Sequence, residues 1–334
     1  MWIFGSARND LLILYLGGCV AFFMVWALPG DSRLGAFFGL LTLAAIDTGH
    51  MYTTVWRTWF RKSELASSPR YWITPLLVFL AVLAWALLKI PFLFNIILYT
   101  TIYHHMRQYY GVVRWYEKLN RRTSRPSHWY IQALFILPLA FAHFRTDGTT
   151  QIFYRGDLFV YPSLPLYRVT LFAYLTVAAS WVGYEVWLFK QGIREWNRVL
   201  AIFVPLFFTA VACLWAKNAM QAMLPLVWTH GITYFGLLAL SLKRLEPKRW
   251  KSVWIPAAVV VATAILAGSS VLYIDEAYLE TDYIRGGLGL GNLLLIAAIQ
   301  TPTICHYLFD AWIWTGRHRD AKVVYAMPMS ALKK

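Results

Sequence analysis

The sequence predicts an all-α fold, a polytopic transmembrane helical bundle of about ten helices with the N-terminus and C-terminus both cytoplasmic. Three observations carry this. Of 334 residues, 59% are hydrophobic and only 14% charged, against roughly 25% charged in an ordinary soluble domain. Continuous apolar runs such as Leu11 to Leu28, Trp72 to Leu88 and Val253 to Ile274 match the ~20 residues that cross a bilayer as helix. The basic residues then alternate between the two sides of such a bundle, as the bias of Lys and Arg towards the cytoplasm requires.

In chain order the helices are expected at about 11–28, 34–55, 71–88, 91–113, 129–145, 166–189, 198–216, 220–242, 252–274 and 287–315. The first is longer than the apolar core of a secretory signal and is followed by no small-x-small cleavage site, so it counts as a helix. Lys89 and Pro91 make a tight outer hairpin between the third and fourth. Pro205, Pro225, Pro256 and Pro302 fall within or near helix starts, which membrane bundles tolerate. The stretch from Gly286 to Gly291 has the glycine content of a phosphate loop but no preceding strand and no Lys-Ser/Thr ending, and is expected to serve close helix packing. There is no internal repeat of the kind that marks many transporters. One transmembrane domain, 1–316, is expected, with a basic cytoplasmic tail, 317–334.

The net charge is +15, which in a soluble chain would suggest nucleic acid. Its distribution excludes that partner. With the N-terminus inside, the inner segments carry Arg8, then the groups 57–70, 107–125, 190–198, 243–251 and 317–334, which together hold 24 of the 31 basic residues. The outer side carries Asp31, Asp147, Asp157 and the acidic run Asp275, Glu276, Glu280 and Asp282. The charge is therefore mostly topological, with the grip of anionic lipid headgroups as a secondary role. An inner, cytoplasmic bacterial membrane is the expected location. Cys19, Cys213 and Cys305 lie inside helices without paired spacing, so neither a disulfide framework nor a thiolate metal site is expected.

Ionisable groups at membrane depth cost ~2.5–3.5 kcal/mol on insertion scales and usually mark function. Here they recur at one level. Asp47 and His50 stand as Asp-x-x-His on the second helix, and His104 and His105 with Gln108 on the fourth. His230 follows on the eighth, and His306 and Asp310 form His-x-x-x-Asp on the tenth. Spacings of three and four put each pair on one helix face. All four helices run from outside to inside, so the groups share a depth slightly to the cytoplasmic side of the midplane. They are expected to meet in one pocket open to that half.

Imidazole and carboxylate suit iron or zinc, and an imidazole ligand commonly needs a partner that fixes its tautomer. His50, His104, His105, His230, His306, Asp47 and Asp310 are the candidate metal ligands, with Gln108, Gln300 and Thr303 behind them. A structural polar network, haem ligation or a proton path are the competing readings. Glu185, near a cytoplasmic end, reads as a cap or a snorkelling group. His128 and His318 belong to the surface and His143 to an outer helix end. Tyr103, Tyr109, Tyr110, Trp228, Tyr234, Tyr307 and Trp312 surround the cluster with aromatic groups, more often ordinary packing than a substrate wall.

The layout resembles the membrane-bound histidine-rich iron enzymes, the lipid desaturases and hydroxylases and the bacterial carotene-cleaving oxygenases. The resemblance covers the cluster rather than the chain. The His-x-x-x-His and His-x-x-His-His boxes of desaturases are not present, while taking single histidines from several helices is similar to the carotene-cleaving group. The resemblance implies a metal-dependent oxidoreductase of lipid metabolism with one or two irons. Its substrate would be lipid or another apolar small molecule arriving from the bilayer, hydroxylated, desaturated or oxidatively cleaved. No Rossmann fingerprint or haem-attachment motif accompanies the bundle, so electrons would come from a separate donor where the reaction needs them. A zinc hydrolase of the ceramidase type, with three histidines and an aspartate, is the alternative. A through-channel is disfavoured because the outer halves of the second, fourth and tenth helices are almost wholly apolar.

Overall fold

The computed structural model describes residues 1–27, 33–90, 92–146, 159, 161–274 and 289–325. Among them there is no strand. Ten long helices account for most of the chain: α1 Ala7–Ala27, α2 Arg33–Trp56, α3 Arg70–Leu87, α4 Leu93–Leu119, α5 Arg125–Phe144, α6 Leu164–Lys190, α7 Trp196–Leu214, α8 Ala219–Leu245, α9 Trp254–Ile274 and α10 Leu290–Ile313. Eight of them are long and apolar enough to cross a membrane. Two lie outside that set, α4 and α5, and α4 carries His104, His105, Arg107, Gln108, Arg114, Glu117 and Lys118. The expected acidic loop from Asp275 to Asp282, the expected outer residues Asp31, Asp147 and Asp157, Pro91, and the tail beyond Tyr325 lie outside the described residues.

Large apolar side chains cover the perimeter. Leu76 and Leu77 on α3, Val169 and Phe172 on α6, and Leu266 on α9 are 59–72% exposed. Water would make that surface an aggregation liability, whereas hydrocarbon is its matching solvent. The chain has the make-up of an integral multi-pass membrane protein.

The contacts divide the chain into two compact units. The first comprises Met1–Gly35 and Thr101–His230. There Ser124 caps α5 by accepting the Ser127 N–H at 3.3 Å, with a proline in the first turn whose missing N–H costs nothing at that position. α5 packs on α6 and α7. One end is tied by polar bonds: buried Asp10 accepts the Ile3 and Phe4 N–H groups at 2.7 Å and the Tyr116 hydroxyl at 2.5 Å. Asn120 donates to Asn197 at 3.2 Å. Glu185, expected as a cap or snorkel, is buried and pairs with both Nη atoms of Arg198 at 2.7 and 2.6 Å, while Trp181 Nε1 donates to it at 3.0 Å. A buried charge survives where its partner shares the burial.

The second unit comprises Ala36–Thr100 and Gly231–Ala326. α10 packs along α3 through Val82, Ile296, Ala297 and Ile299. α9 packs against α2, where Thr42–Thr48 is wound as π-helix and Thr53–Trp56 as a 3₁₀ turn. Glycines permit the approach. A Cβ at Gly268 would lie 1.6 Å from Ala44 O, one at Gly49 2.2 Å from Ala264 O, and one at Gly231 2.6 Å from Ile46 Cγ2. The glycine-rich stretch expected to pack closely does not do so where it is described: a Cβ at Gly289 or Gly291 meets nothing within 4 Å. Close packing needs glycine on a face that meets another helix, and spacing along one strand of sequence does not reveal that face.

Candidate metal centre

In the second unit the site begins with the irregular winding of α2. Gly49 N–H bonds Ala44 O, five residues back, and π turns of this kind recur at functional sites. The widened turn leaves carbonyls within reach of a side chain. His50, 3% exposed, directs Nδ1 at Ile46 O at 2.7 Å and at Asp47 O. A carbonyl only accepts, so Nδ1 carries the proton and Nε2 keeps its lone pair. Asp47 is half-buried and contributes its main-chain carbonyl to this contact.

One turn on, Thr54 Oγ1 lies 2.6 Å from His306 Nδ1 and 2.8 Å from the Tyr234 hydroxyl. Tyr234 in turn donates to Asp310 Oδ1 at 3.2 Å. Proton counting orders the chain. With the phenol proton on the carboxylate, the phenol oxygen can accept from Thr54 and the Thr54 oxygen from the His306 tautomer that is protonated at Nδ1. His306 Nε2 is then a lone-pair donor, 3.8 Å from Asp310 Oδ2. The rings of His50 and His306 are 5.0 Å apart at their centroids and edge-to-face, with Tyr234 at 5.7 and 5.0 Å from them. All five groups are buried. Gln300 and Thr303 are buried on α10 before His306.

In the first unit, His104 and His105 on α4 and His230 on α8 are buried. His105 stacks on His230 with centroids 3.8 Å apart, and His104 meets His230 edge-on at 5.1 Å. Gln108 donates from Nε2 to His230 O at 3.2 Å, which ties α4 to the turn that carries this imidazole. Within each unit, then, the structure brings together the histidines that the sequence nominated there.

Glu64 had no place in the sequence reading, and His318, expected at the surface, turns inward to it. Glu64 is fully buried; His318 Nε2 reaches its Oε1 at 3.0 Å, the Tyr71 hydroxyl donates to it, and Arg319 Nη2 donates to Oε2 at 2.9 Å. Burial alone would raise the carboxyl, but these bonds prevail and pull its pKa down to about 2. Asp320 is likewise lowered against its burial, chiefly by Arg61 Nη1 at 2.5 Å. Glu64, His318 and Asp320 have the spacing of a metal triad, but three arginines already neutralise the carboxylates. Arg57, wholly buried, lies 3.3 Å from Asp320 and 3.7 Å from Glu64 yet makes no hydrogen bond through its guanidinium nitrogens. Burial and the neighbouring Arg61 lower its pKa. The segment 317–325, expected as tail, is thereby pinned, and Ala321 and Val324 are buried.

His128, expected at the surface, is half-buried with Nε2 2.8 Å from Glu117 Oε2 and 2.7 Å from Arg114 Nη1. His143 donates to Leu139 O at 2.6 Å. Thr54 carried no recognisable signal, since one threonine in an apolar helix is unremarkable until its partners are known.

Fold and site together define a class: a multi-pass helical membrane protein with buried imidazole clusters, one of them joined to a carboxylate. Compared with known protein families, characterised proteins and solved structures, the chain finds no match in any of the three.

Proposed function

We propose that this protein is a metal-dependent oxidoreductase of the membrane that acts on a lipid or another apolar molecule by hydroxylation, desaturation or oxidative cleavage. The observation that carries the metal reading is His306 Nε2 facing Asp310 Oδ2 at 3.8 Å, both in a dry interior. The relay through Thr54 and Tyr234 suits the His306 tautomer that is protonated on the far nitrogen. Two lone-pair donors so arranged suit a cation, and metal bonds of about 2.0–2.2 Å let one ion touch both. His50, protonated at Nδ1 by its contact with the Ile46 carbonyl, is the next candidate ligand through Nε2, and Asp47 flanks it. In the other unit His104, His105 and His230 form a separate group of buried imidazoles with Gln108 bonded to the His230 carbonyl, while Gln300 and Thr303 precede His306 on α10.

Nitrogen and carboxylate ligands of this number favour iron, one or two ions, over a three-histidine zinc site. Iron would supply redox chemistry towards dioxygen; zinc, the alternative, would polarise a carbonyl for hydrolysis. The residues themselves hold the ligand tautomers and exclude water. The exposed apolar perimeter supports a substrate that arrives from the bilayer, and electrons would come from a separate protein.

The topology belongs to the same proposal: ten spans, both termini cytoplasmic, in a bacterial inner membrane. Reporter fusions at either end should read cytoplasmic and an insertion between 275 and 285 external, and termini on opposite faces would overturn it. Metal analysis of the purified, detergent-solubilised protein tests the chemistry, with an optical spectrum to separate haem from non-haem iron. Stoichiometric non-haem iron is the expected result. A protein that purifies without metal and cannot be reconstituted would leave a polar network or proton path in its place.

A further inference from the structure

The first unit has a wide-open surface hollow of about 610 Å³ away from any histidine, walled by the end of α4 and the turn after it, by Met1 and by the loop before α7. Its charged walls are Arg121, Arg122, Arg194 and Glu195. The carboxylate does not balance the three guanidinium groups. Glu195 Oε2 already accepts Arg198 Nε at 2.9 Å, and Arg122 Nη1 stands off at 3.5 Å. That Nη1 atom is buried and makes no hydrogen bond. An arginine donor withheld from water and from its nearest carboxylate is suited to an incoming anion.

The backbone is shaped for the same purpose. Arg121 sits at φ +55°, a left-handed conformation normally taken by glycine at a helix end, and Arg122 N–H closes back on Glu117 O at 2.9 Å. The turn carries two consecutive arginines to the cavity wall. Depth is indicated by Trp187 and Trp196, 54% and 57% exposed, on either side of the 190–195 loop. Exposed tryptophans of membrane helices concentrate at headgroup level.

We propose that this cavity binds a phosphate group, that of an anionic phospholipid headgroup, through Arg121, Arg122 and Arg194. Planar guanidinium forks match phosphate oxygens, and each basic group near an anionic surface contributes about 1 kcal/mol, or roughly fivefold in affinity. The inference stands apart from the metal reading and survives if that reading fails.

The test uses the full chain in detergent, with native mass spectrometry and thermal shift to follow phosphatidylglycerol, phosphatidylcholine and inorganic phosphate. Phosphatidylglycerol should bind and stabilise, and phosphatidylcholine should not. Arg122→Gln and Arg194→Gln should each weaken phosphatidylglycerol by about fivefold, whereas Arg249→Gln, an exposed arginine of the other unit, should not. Arg194 is exposed, so its variant remains informative if Arg122→Gln folds poorly. Binding of inorganic phosphate as tight as that of lipid, and equally sensitive to Arg194→Gln, would support the phosphate chemistry and assign it to the free anion. Equal binding of both lipids, or wild-type affinity in both variants, would overturn the proposal.

Discussion

Replacing Thr54 by Val removes one hydroxyl from the middle of the relay while keeping the shape of the side chain. The hydroxyl serves His306 Nδ1 at 2.6 Å and Tyr234 at 2.8 Å, groups that reside on α10 and α8, so its loss unties α2 from two helices at once. A buried group deprived of its partner costs about 1–3 kcal/mol. Hydrogen bonds between membrane helices average nearer 0.6 kcal/mol with a maximum of about 1.7. Two such bonds therefore predict a loss of about 1–3 kcal/mol in stability. The more telling effect is on metal. With Nδ1 of His306 no longer held by an acceptor, the proton redistributes between the ring nitrogens and Nε2 is no longer reserved as a ligand. Loss of such an orienting partner typically costs 10–100-fold in metal affinity. Competition with a calibrated chelator measures this directly on purified Thr54→Val protein, and Thr54→Ser should restore binding because it returns the hydroxyl. Tyr234→Phe breaks the next link, so the double variant should lose less than the sum of the single losses. Wild-type metal affinity in Thr54→Val would refute the relay, as would a loss in Thr54→Ser equal to that in Thr54→Val.

Three further outcomes are expected. His104→Ala and His306→Ala should lose metal outright by elemental analysis, and Asp310→Asn should only weaken it; full metal content in both histidine variants would remove the enzyme reading. Gly268→Ala should destabilise by about 1–3 kcal/mol, since its Cβ would fall 1.6 Å from Ala44 O, whereas Gly183→Ala, with open space around it, should gain up to about 1 kcal/mol from helix propensity; equal melting temperatures would contradict this packing. Because the Glu64 carboxyl is depressed to about 2 from its ordinary 4.5, its contribution is complete above about 4.5 and is lost as pH falls towards 2. Acid unfolding of wild type should steepen in that window, and Glu64→Gln should be less stable at neutral pH and lack that dependence.

The membrane bundle was legible because hydrocarbon imposes a length and a composition on every span, and both are local properties of the chain. Buried histidines were legible for a related reason: an imidazole inside an apolar run announces itself by the expense of putting it there. The partners of those histidines were not legible. Asp47 and His50 share a face on an ideal helix, but the π turn from Thr42 to Thr48 changes the winding between them, so that His50 meets the main chain of Ile46 and Asp47. No periodicity in the sequence marks that turn. Its support comes from Gly49, Gly268 and Gly231, spread over three helices and meaningful only once those helices are in contact. The same holds for Glu64, whose burial depends on His318 and Arg319 from a segment more than 250 residues away. Charged residues beyond the last span resemble a solvated tail until a buried carboxylate is found to receive them. Candidate ligand types are thus inscribed in the spans themselves, whereas the partners that orient His306 come from distant parts of the chain. For this reason Thr54, which no local pattern distinguishes, is the residue whose replacement best separates a built metal site from a chance gathering of histidines.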